Sequence, residues 1–171
     1  MADQPPPNSL SLDTNLFVDL GGQMEYALAF LEIVEEHKAP LYATPTVLRE
    51  LAALAIRGNH AEKQAALLAL RSLGRWAVTG LQPRPAQNEL TRLIASRILE
   101  SDLLPRAEHN DSRIVAETSL AGVPYLVSND NWVNGIDQVR LNRLLAGADF
   151  NPITIISPRR FLALLRRSRF Y

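Results

Sequence analysis

Four acidic residues of this chain could together perform metal-assisted chemistry: Asp13, Glu50, Asp111 and Asp130. Asp13 lies within an apolar run, where a buried carboxylate is costly unless a metal, a charge or hydrogen bonds compensate it. Asp130 follows a second apolar run. Taken singly, Asp130 and Asp111 are typical of turns or helix caps, and Glu50 is typical of an exposed helix. Their chemical significance therefore depends on whether the fold brings them together.

Clustered carboxylates repel one another, and their pKa values rise unless cations neutralise them. Mg²⁺ or Mn²⁺ is the natural occupant of such a cluster, because both ions prefer oxygen ligands. The chain has no cysteine and no paired-histidine motif that would favour a softer metal. A divalent ion can generate hydroxide from water, polarise a phosphoryl oxygen and offset charge on the leaving oxygen. Hydrolysis of a phosphodiester bond uses all three effects.

The hydrophobic pattern predicts the elements that must position these residues. β-rich runs predict five strands, at 10–18, 40–43, 76–81, 123–128 and 153–156. Helical periodicity predicts seven helices, at about 24–37, 45–57, 61–73, 86–103, 111–121, 132–146 and 158–168. Strands alternating with helices predict an α/β fold of three layers, in which helices cover both faces of a five-stranded parallel sheet.

This topology gives the four acidic residues a common edge. In a doubly wound sheet the ligand site lies outside the carboxyl ends of the strands, near the switch in strand order. Asp130 comes from a strand end, and Glu50 falls in the second turn of the helix after the second strand. Asp111 opens the helix before the fourth strand and is a candidate N-cap there. Asp13 needs only to lie in a strand that faces the same cleft.

Length and composition indicate one domain in a reducing compartment. We expect residues 1–9, which are Pro-rich and polar, to be a disordered lead-in, and residues 10–171 to form a single domain. The first residues lack the pattern of a signal peptide, and no apolar run approaches the roughly 18 residues of a membrane span. Together with the absence of cysteine, these features predict a cytoplasmic protein with no membrane partner.

The net charge of zero hides an uneven distribution. Residues 1–62 carry nine acidic and three basic residues, whereas residues 138–171 carry seven arginines and one aspartate. Arg159 and Arg160, with the other C-terminal arginines, are candidate contacts for RNA phosphates. A solvated helix end explains them nearly as well.

Two further sets of residues have a functional and a structural interpretation. Trp76 and Trp132 are expected to pack in the core rather than to stack on nucleic-acid bases. We expect a homodimer, with the Leu/Ala-rich helices at 61–73 and 86–103 as the candidate face, although core packing also explains their composition.

Four short motifs, in order along the chain, resemble those of PIN domains, the nuclease domains of many VapC-type toxin–antitoxin ribonucleases. They are LDTN at 12–15, TVLREL at 46–51, NDSRIVA at 110–116 and YLVSND at 125–130. The segment IISPRRFL at 155–162 is similar to the usual strand-to-helix ending of the family. The chain departs from the family in its Pro-rich start and in the long stretch around 80–110.

The resemblance implies an endoribonuclease that depends on Mg²⁺ or Mn²⁺, with an RNA substrate and, for a toxin, an antitoxin protein as partner. It makes Asp13 and Asp111 metal ligands, Asp130 a further or water-mediated ligand, and Glu50 a ligand or water activator. Two polar residues match supporting positions: Asn15 and Ser128.

Other functions fit the sequence less well. A receiver-type phosphoacceptor needs a lysine after a late strand, and the only lysines are Lys38 and Lys63. A phosphatase with an Asp-x-Asp pair is contradicted by Asn15 at the second acidic position. The remaining alternative is a catalytically silent PIN-like module that binds RNA or a protein. Retention of all four carboxylates favours the enzyme.

Overall fold

A five-stranded parallel sheet forms the centre of the computed structural model, which describes residues 5–168 and side chains up to residue 165. Each strand has three residues: β1 (Leu10–Leu12), β2 (Leu41–Ala43), β3 (Val78–Gly80), β4 (Tyr125–Val127) and β5 (Thr154–Ile156). The spatial order is β3-β2-β1-β4-β5, and every neighbouring pair is parallel. The predicted sheet is thus confirmed.

The central strand β1 is covered on both faces. Leu10 pairs with Leu41 of β2 on one side and with Tyr125 of β4 on the other. Successive side chains of a strand point to opposite faces of the sheet, and Leu10, Ser11 and Leu12 are all fully buried. The protein therefore has the predicted three layers.

Helices connect the strands and form the outer layers. They are α1 (Thr14–Gly21), α2 (Glu25–Glu36), α3 (Pro45–Arg57), α4 (His60–Ser72), α5 (Pro85–Glu100), α6 (His109–Leu120), α7 (Asn131–Asn134), α8 (Gln138–Ala146) and α9 (Pro158–Ser168). Helix α4 packs against α1 and α3, α6 packs against α3 and α5, and α2 packs against α9. None of the helices in the described range is long and apolar enough to cross a bilayer.

The predicted strand at 10–18 is wrong beyond Leu12. Asp13 accepts a hydrogen bond from the backbone N–H of Thr14 and so caps a helix that begins immediately after β1. The apolar side chains that follow have helical spacing: Leu16, Phe17 and Leu20 are all buried on one face of α1. The nine-residue run is read as a single strand because apolar residues continue from its first three residues, which are a strand, into the helix that follows.

Two predicted helices also differ from the structure. The helix predicted at 132–146 is divided into α7 and α8, because Gly135 ends the first and the Asp137 side chain caps the second. The helix predicted to begin at Asp111 begins at His109, with Glu108 rather than Asp111 as its N-cap. Asp111 consequently lies inside the first turn of α6.

The order of the strands creates the expected switch point. The chain builds the sheet outward from β1 through β2 to β3 and then returns to the other side of β1 to place β4. The connections that leave β1 and β4 therefore diverge at their carboxyl ends, where a cleft forms. Within the predicted lead-in, Ser9 is fully buried and its N–H donates to the Pro6 carbonyl at 2.9 Å.

Candidate active site

Asp13 lies at the carboxyl end of the central strand and is only 3% exposed. Its Oδ1 accepts a hydrogen bond from the Thr14 N–H at 2.7 Å, and its Oδ2 accepts one from the Ser128 hydroxyl at 2.6 Å. Burial raises the pKa of Asp13 most strongly, and the charges of Glu50 and Asp130 raise it further. The two hydrogen bonds lower it but leave the pKa above its ordinary value.

Glu50 reaches the same edge from the second turn of α3. Its Oε2 accepts a hydrogen bond from the Thr14 hydroxyl, and its Oε1 accepts one from the Asn110 amide at 2.6 Å. Thr14 follows Asp13 directly, and Asn110 precedes Asp111. Glu50 is therefore hydrogen-bonded to the neighbours in sequence of Asp13 and Asp111.

The carboxyl group of Asp111 has a strongly raised pKa. Its pKa rises to about 8, chiefly because of burial and then because of the Asp13 charge. A side-chain hydrogen bond with Glu108 and the charges of Asp130 and Glu108 add to the rise. Asp111 therefore faces several negative groups, and it forms no ion pair with any residue in the described part of the chain.

Asp130 follows β4 and caps the short helix α7. Its Oδ1 accepts hydrogen bonds from the backbone N–H groups of Trp132 at 2.7 Å and Val133 at 3.0 Å. The N–H of Asp130 itself donates to the Ser128 hydroxyl oxygen at 3.0 Å, while the same hydroxyl donates to Asp13. Ser128 thus joins two of the acidic residues through one oxygen.

The fold brings the four predicted acidic residues into one electrostatic cluster. Asp13 is affected by the charges of Glu50 and Asp130, and Asp111 is affected by those of Asp13 and Asp130. Over residues 5–168, however, no three Asp, Glu or His side chains are arranged as a ready-made metal site. The carboxylates are held by hydroxyl, amide and backbone donors instead.

The chemistry of this donor set fits a divalent cation. Two ion pairs occur in the described part of the chain, Arg49 with Glu117 and Arg92 with Glu89, and neither includes a residue of the cluster. The raised pKa values of Asp13 and Asp111 express repulsion and burial that a bound cation would relieve. Carboxylate oxygens are the ligands that Mg²⁺ and Mn²⁺ prefer.

Of the other predicted site residues, only Ser128 lies within the acidic cluster. Ser128 is buried within the cluster, whereas Asn15 is exposed on the first turn of α1. Arg159 and Arg160 are exposed at the start of α9, just beyond β5 and thus at the same edge of the sheet, but they do not join the acidic residues. The side chains of Arg166, Arg167 and Arg169 lie outside the described ones.

Sequence reasoning missed three polar residues of the cluster: Thr14, Glu108 and Asn110. Helical spacing could have indicated Glu108, because it lies three residues before Asp111. The contacts of Thr14 and Asn110 with Glu50 depend on how α3 packs, which no local pattern shows.

The prediction that both tryptophans pack in the core is correct for Trp76 and wrong for Trp132. Trp76 is 5% exposed and packs in the core, but Trp132 is 61% exposed on α7. The latter is therefore a surface residue, two positions from Asp130.

A solved structure shares this architecture. One chain of the crystal structure of VapBC2 from Rickettsia felis, bound to a DNA fragment from their promoter, is similar to this chain with a TM-score of 0.59 and 15% sequence identity. The match covers 86% of this chain and 97% of that one. At this identity the similarity concerns the fold, and it confirms the predicted PIN-like α/β architecture. No protein-family model and no curated protein sequence matches the chain.

Proposed function

We propose that this protein is a nuclease of the PIN type that hydrolyses RNA phosphodiester bonds with the help of Mg²⁺ or Mn²⁺. The observation that carries the proposal is the cluster of four carboxylates at the switch point of the sheet, in which the pKa values of Asp13 and Asp111 are raised and no member forms an ion pair with a described residue. Such a cluster is costly for the fold, and binding of a divalent cation would offset that cost. The VapBC2-like fold supports a nuclease role.

In this proposal Asp13 and Asp111 hold the metal ion, and Asp130 is a further ligand or acts through a water molecule. The bound ion would polarise a phosphate oxygen and lower the pKa of a coordinated water. Ser128 fixes the carboxylate of Asp13 by donating its hydroxyl proton to Oδ2. These residues define a site for a phosphate group at the carboxyl edge of the sheet.

Glu50 is either a further ligand or the group that accepts a proton from the attacking water. The Thr14 hydroxyl and the Asn110 amide each donate to one of its carboxylate oxygens. Each oxygen keeps a second lone pair, so the side chain can still accept a proton from a water molecule. Thr14 and Asn110 would therefore orient the Glu50 carboxylate and leave one lone pair on each oxygen available to accept a proton.

Partners follow from the same proposal. The neighbour is a VapBC2 structure, which supports an antitoxin partner and a toxin role for this chain. Arg159 and Arg160, exposed beyond β5, would contact RNA phosphates. A cytoplasmic location and a homodimer remain predictions.

A second candidate function is a silent PIN-like module that binds RNA or a protein without cutting. It is favoured by one observation, namely that no three carboxylates in the described residues are already arranged around a metal position. The two candidates differ in whether the acidic residues are needed for RNA cleavage.

The experiment measures cleavage of a fluorescently labelled, unstructured RNA by the full chain with Mg²⁺, with Mn²⁺ and with EDTA. We expect cleavage with either metal, none with EDTA, and a loss of at least about 100-fold in Asp13→Asn and Asp111→Asn, because each removes a charged metal ligand. Asp137→Asn is the matched control, since Asp137 caps α8 through Val139 and Arg140 and is not part of the cluster.

Equal cleavage by the wild type and Asp13→Asn would mean that the activity does not come from this site. Absence of cleavage by the wild type with either metal, while RNA binding persists, would favour the silent module.

A further inference from the structure

A groove of about 600 Å³ runs beside α7 and is lined by residues of the 101–108 loop and of α7 itself. The lining includes Pro105 and Arg106 on one side and Asn131 and Trp132 on the other, with Leu104 between them. The floor is apolar, because Leu104 is 3% exposed, whereas Arg106 is exposed at the surface. The groove thus combines an apolar floor, an aromatic wall and a cation, and its lining also contains one carboxylate, that of Asp102.

Trp132 is an unusual residue to find on this surface. Its side chain is 61% exposed, although burying an indole is favourable and the chain's other tryptophan is buried. The backbone around it is fixed, because the Asp130 carboxylate accepts hydrogen bonds from the N–H groups of Trp132 and Val133, and Val133 is buried. The backbone that carries the indole is therefore held in place, while most of the indole ring is exposed to solvent.

Both walls of the groove lead to the acidic cluster. The loop that carries Arg106 ends at Glu108, which is hydrogen-bonded to Asp111. The helix that carries Trp132 is capped by Asp130, whose charge acts on both Asp13 and Asp111. A ligand in the groove would consequently lie next to a phosphate held at the cluster.

The chemistry of the groove fits a single unpaired nucleotide. An exposed indole can stack on the face of any base, and a neighbouring guanidinium can bind the phosphate. Arg106 makes no ion pair with any residue in the described part of the chain, so its charge remains available. A protein partner would be expected to need a broader apolar patch than one indole and a loop provide.

We infer that this groove binds one unpaired nucleotide of the RNA that flanks the scissile phosphate, with the base stacked on Trp132 and a phosphate bound by Arg106. The inference rests on the proposed function for its substrate class. It makes Trp132 and Arg106 substrate-positioning residues, and it predicts cleavage in unpaired RNA with little dependence on base identity at this position.

Binding is tested by tryptophan fluorescence in EDTA, where no cleavage occurs. We expect an unstructured 12-nucleotide RNA to quench the wild type and not Trp132→Phe, whose remaining tryptophan, Trp76, is buried. Inorganic polyphosphate is the charge-only probe and should leave the fluorescence of Trp132 unchanged. Quenching that is equal in the wild type and Trp132→Phe, RNA binding without quenching, or no RNA binding either in EDTA or with Mg²⁺ overturns the inference.

Kinetics provide the second test. Trp132→Ala should raise KM about 5- to 150-fold with kcat little changed, because stacking on one base is lost, and Trp132→Phe should recover part of the loss. Ile56→Ala is the matched control, since Ile56 is 72% exposed on α3 and does not line the groove. A KM of Trp132→Ala equal to that of the wild type overturns the inference and leaves the groove to a protein partner.

The two tests separate this inference from the proposed function. Quenching of Trp132 by RNA without cleavage by the wild type would contradict the nuclease and retain the nucleotide site. Metal-dependent cleavage with an unquenched Trp132 would retain the nuclease and contradict the nucleotide site.

Discussion

Ser128 determines how Asp13 and Asp130 are arranged. Its hydroxyl donates to Asp13 and accepts from the N–H of Asp130, and the side chain is fully buried. Because the hydroxyl has one proton and two lone pairs, it can serve both neighbours at once. Asn134 completes the turn by donating its side-chain amide to the carbonyl groups of Ser128 and Asp130. A residue that the sequence offered only as a supporting polar position is thus central to the geometry of the cluster.

Asp111 should make the metal-free protein less stable as the pH rises. Its pKa is about 8 in the folded chain and 3.8 in its ordinary state, so the folded protein holds this proton more tightly than the unfolded chain does. Stability from this residue is therefore greatest below about pH 4 and is lost progressively up to about pH 8. In EDTA, Asp111→Asn should unfold at the same temperature as the wild type near pH 4 and at a higher temperature near pH 8.

Thermal unfolding followed by circular dichroism at several pH values measures this difference. Asp137→Asn should follow the wild-type curve, because Asp137 caps an exposed helix end away from the cluster. Parallel curves for the wild type and Asp111→Asn would show that Asp111 does not retain its proton in the folded state.

At the residue scale, the sequence predicted which acidic residues would meet but not how they would be held. Asp13 and Asp130 were recognisable because each adjoins an apolar run, and the carboxyl ends of neighbouring parallel strands must lie close together. The role of Glu108 as both helix cap and neighbour of Asp111 was missed, because several polar residues in a row made the start of α6 ambiguous. The exposure of Trp132 could not be predicted, since it depends on the break between α7 and α8.

At the element scale, the sequence predicted the alternation of strands and helices better than their ends. The predicted helix at 45–57 agrees with α3 because Thr44, Pro45 and Gly58 mark its limits. The strand predicted at 10–18 failed because apolar residues of a short strand run directly into those of an amphipathic helix. The error matters for function, because the helix, not a strand, follows Asp13 and places Thr14 against Glu50.

Helix α1 depends on a close approach to α4 at Gly21. A methyl group added at this glycine would lie 2.0 Å from the Ala65 carbonyl oxygen, a backbone atom that cannot move alone. Gly21→Ala should therefore push the two helices apart and reduce the free energy of unfolding by about 1–3 kcal/mol. Chemical denaturation of the purified protein measures the loss. Since Asp13 caps α1, we also expect Gly21→Ala to reduce RNA cleavage.

Gly74→Ala is the matched control for this substitution. A methyl group at Gly74 would meet no atom within 4 Å, so we expect its free energy of unfolding to stay within about 0.5 kcal/mol of the wild type. If both variants unfolded at the same denaturant concentration, the close approach of α1 to α4 at Gly21 would not contribute to the free energy of unfolding.

At the scale of the whole molecule, the zero net charge combines regions of opposite sign. The acidic cluster occupies the cleft at the carboxyl edge, while Arg106, Arg159 and Arg160 are exposed outside it. Without metal, the cluster would repel a phosphate, and the surrounding arginines would attract it. A bound divalent cation would remove this conflict by neutralising part of the cluster.

Mg²⁺ and Mn²⁺ should accordingly stabilise the whole fold. Ligands that bind only the folded state raise its stability by about 2.7 kcal/mol at a concentration 100 times Kd. For a chain of this size that corresponds to an increase in Tm of roughly 5–11 °C.

We expect this increase in Tm in the wild type and in Asp137→Asn, and a much smaller one in Asp13→Asn. The reason is that Asp13 is a metal ligand in the proposal, and its buried charge is part of what the cation would offset. Differential scanning fluorimetry at constant ionic strength, with NaCl in place of the divalent salt, separates specific binding from screening. An equal shift in Asp13→Asn and the wild type would place the cation elsewhere on the protein and remove the physical basis for a metal-dependent reaction at this cluster.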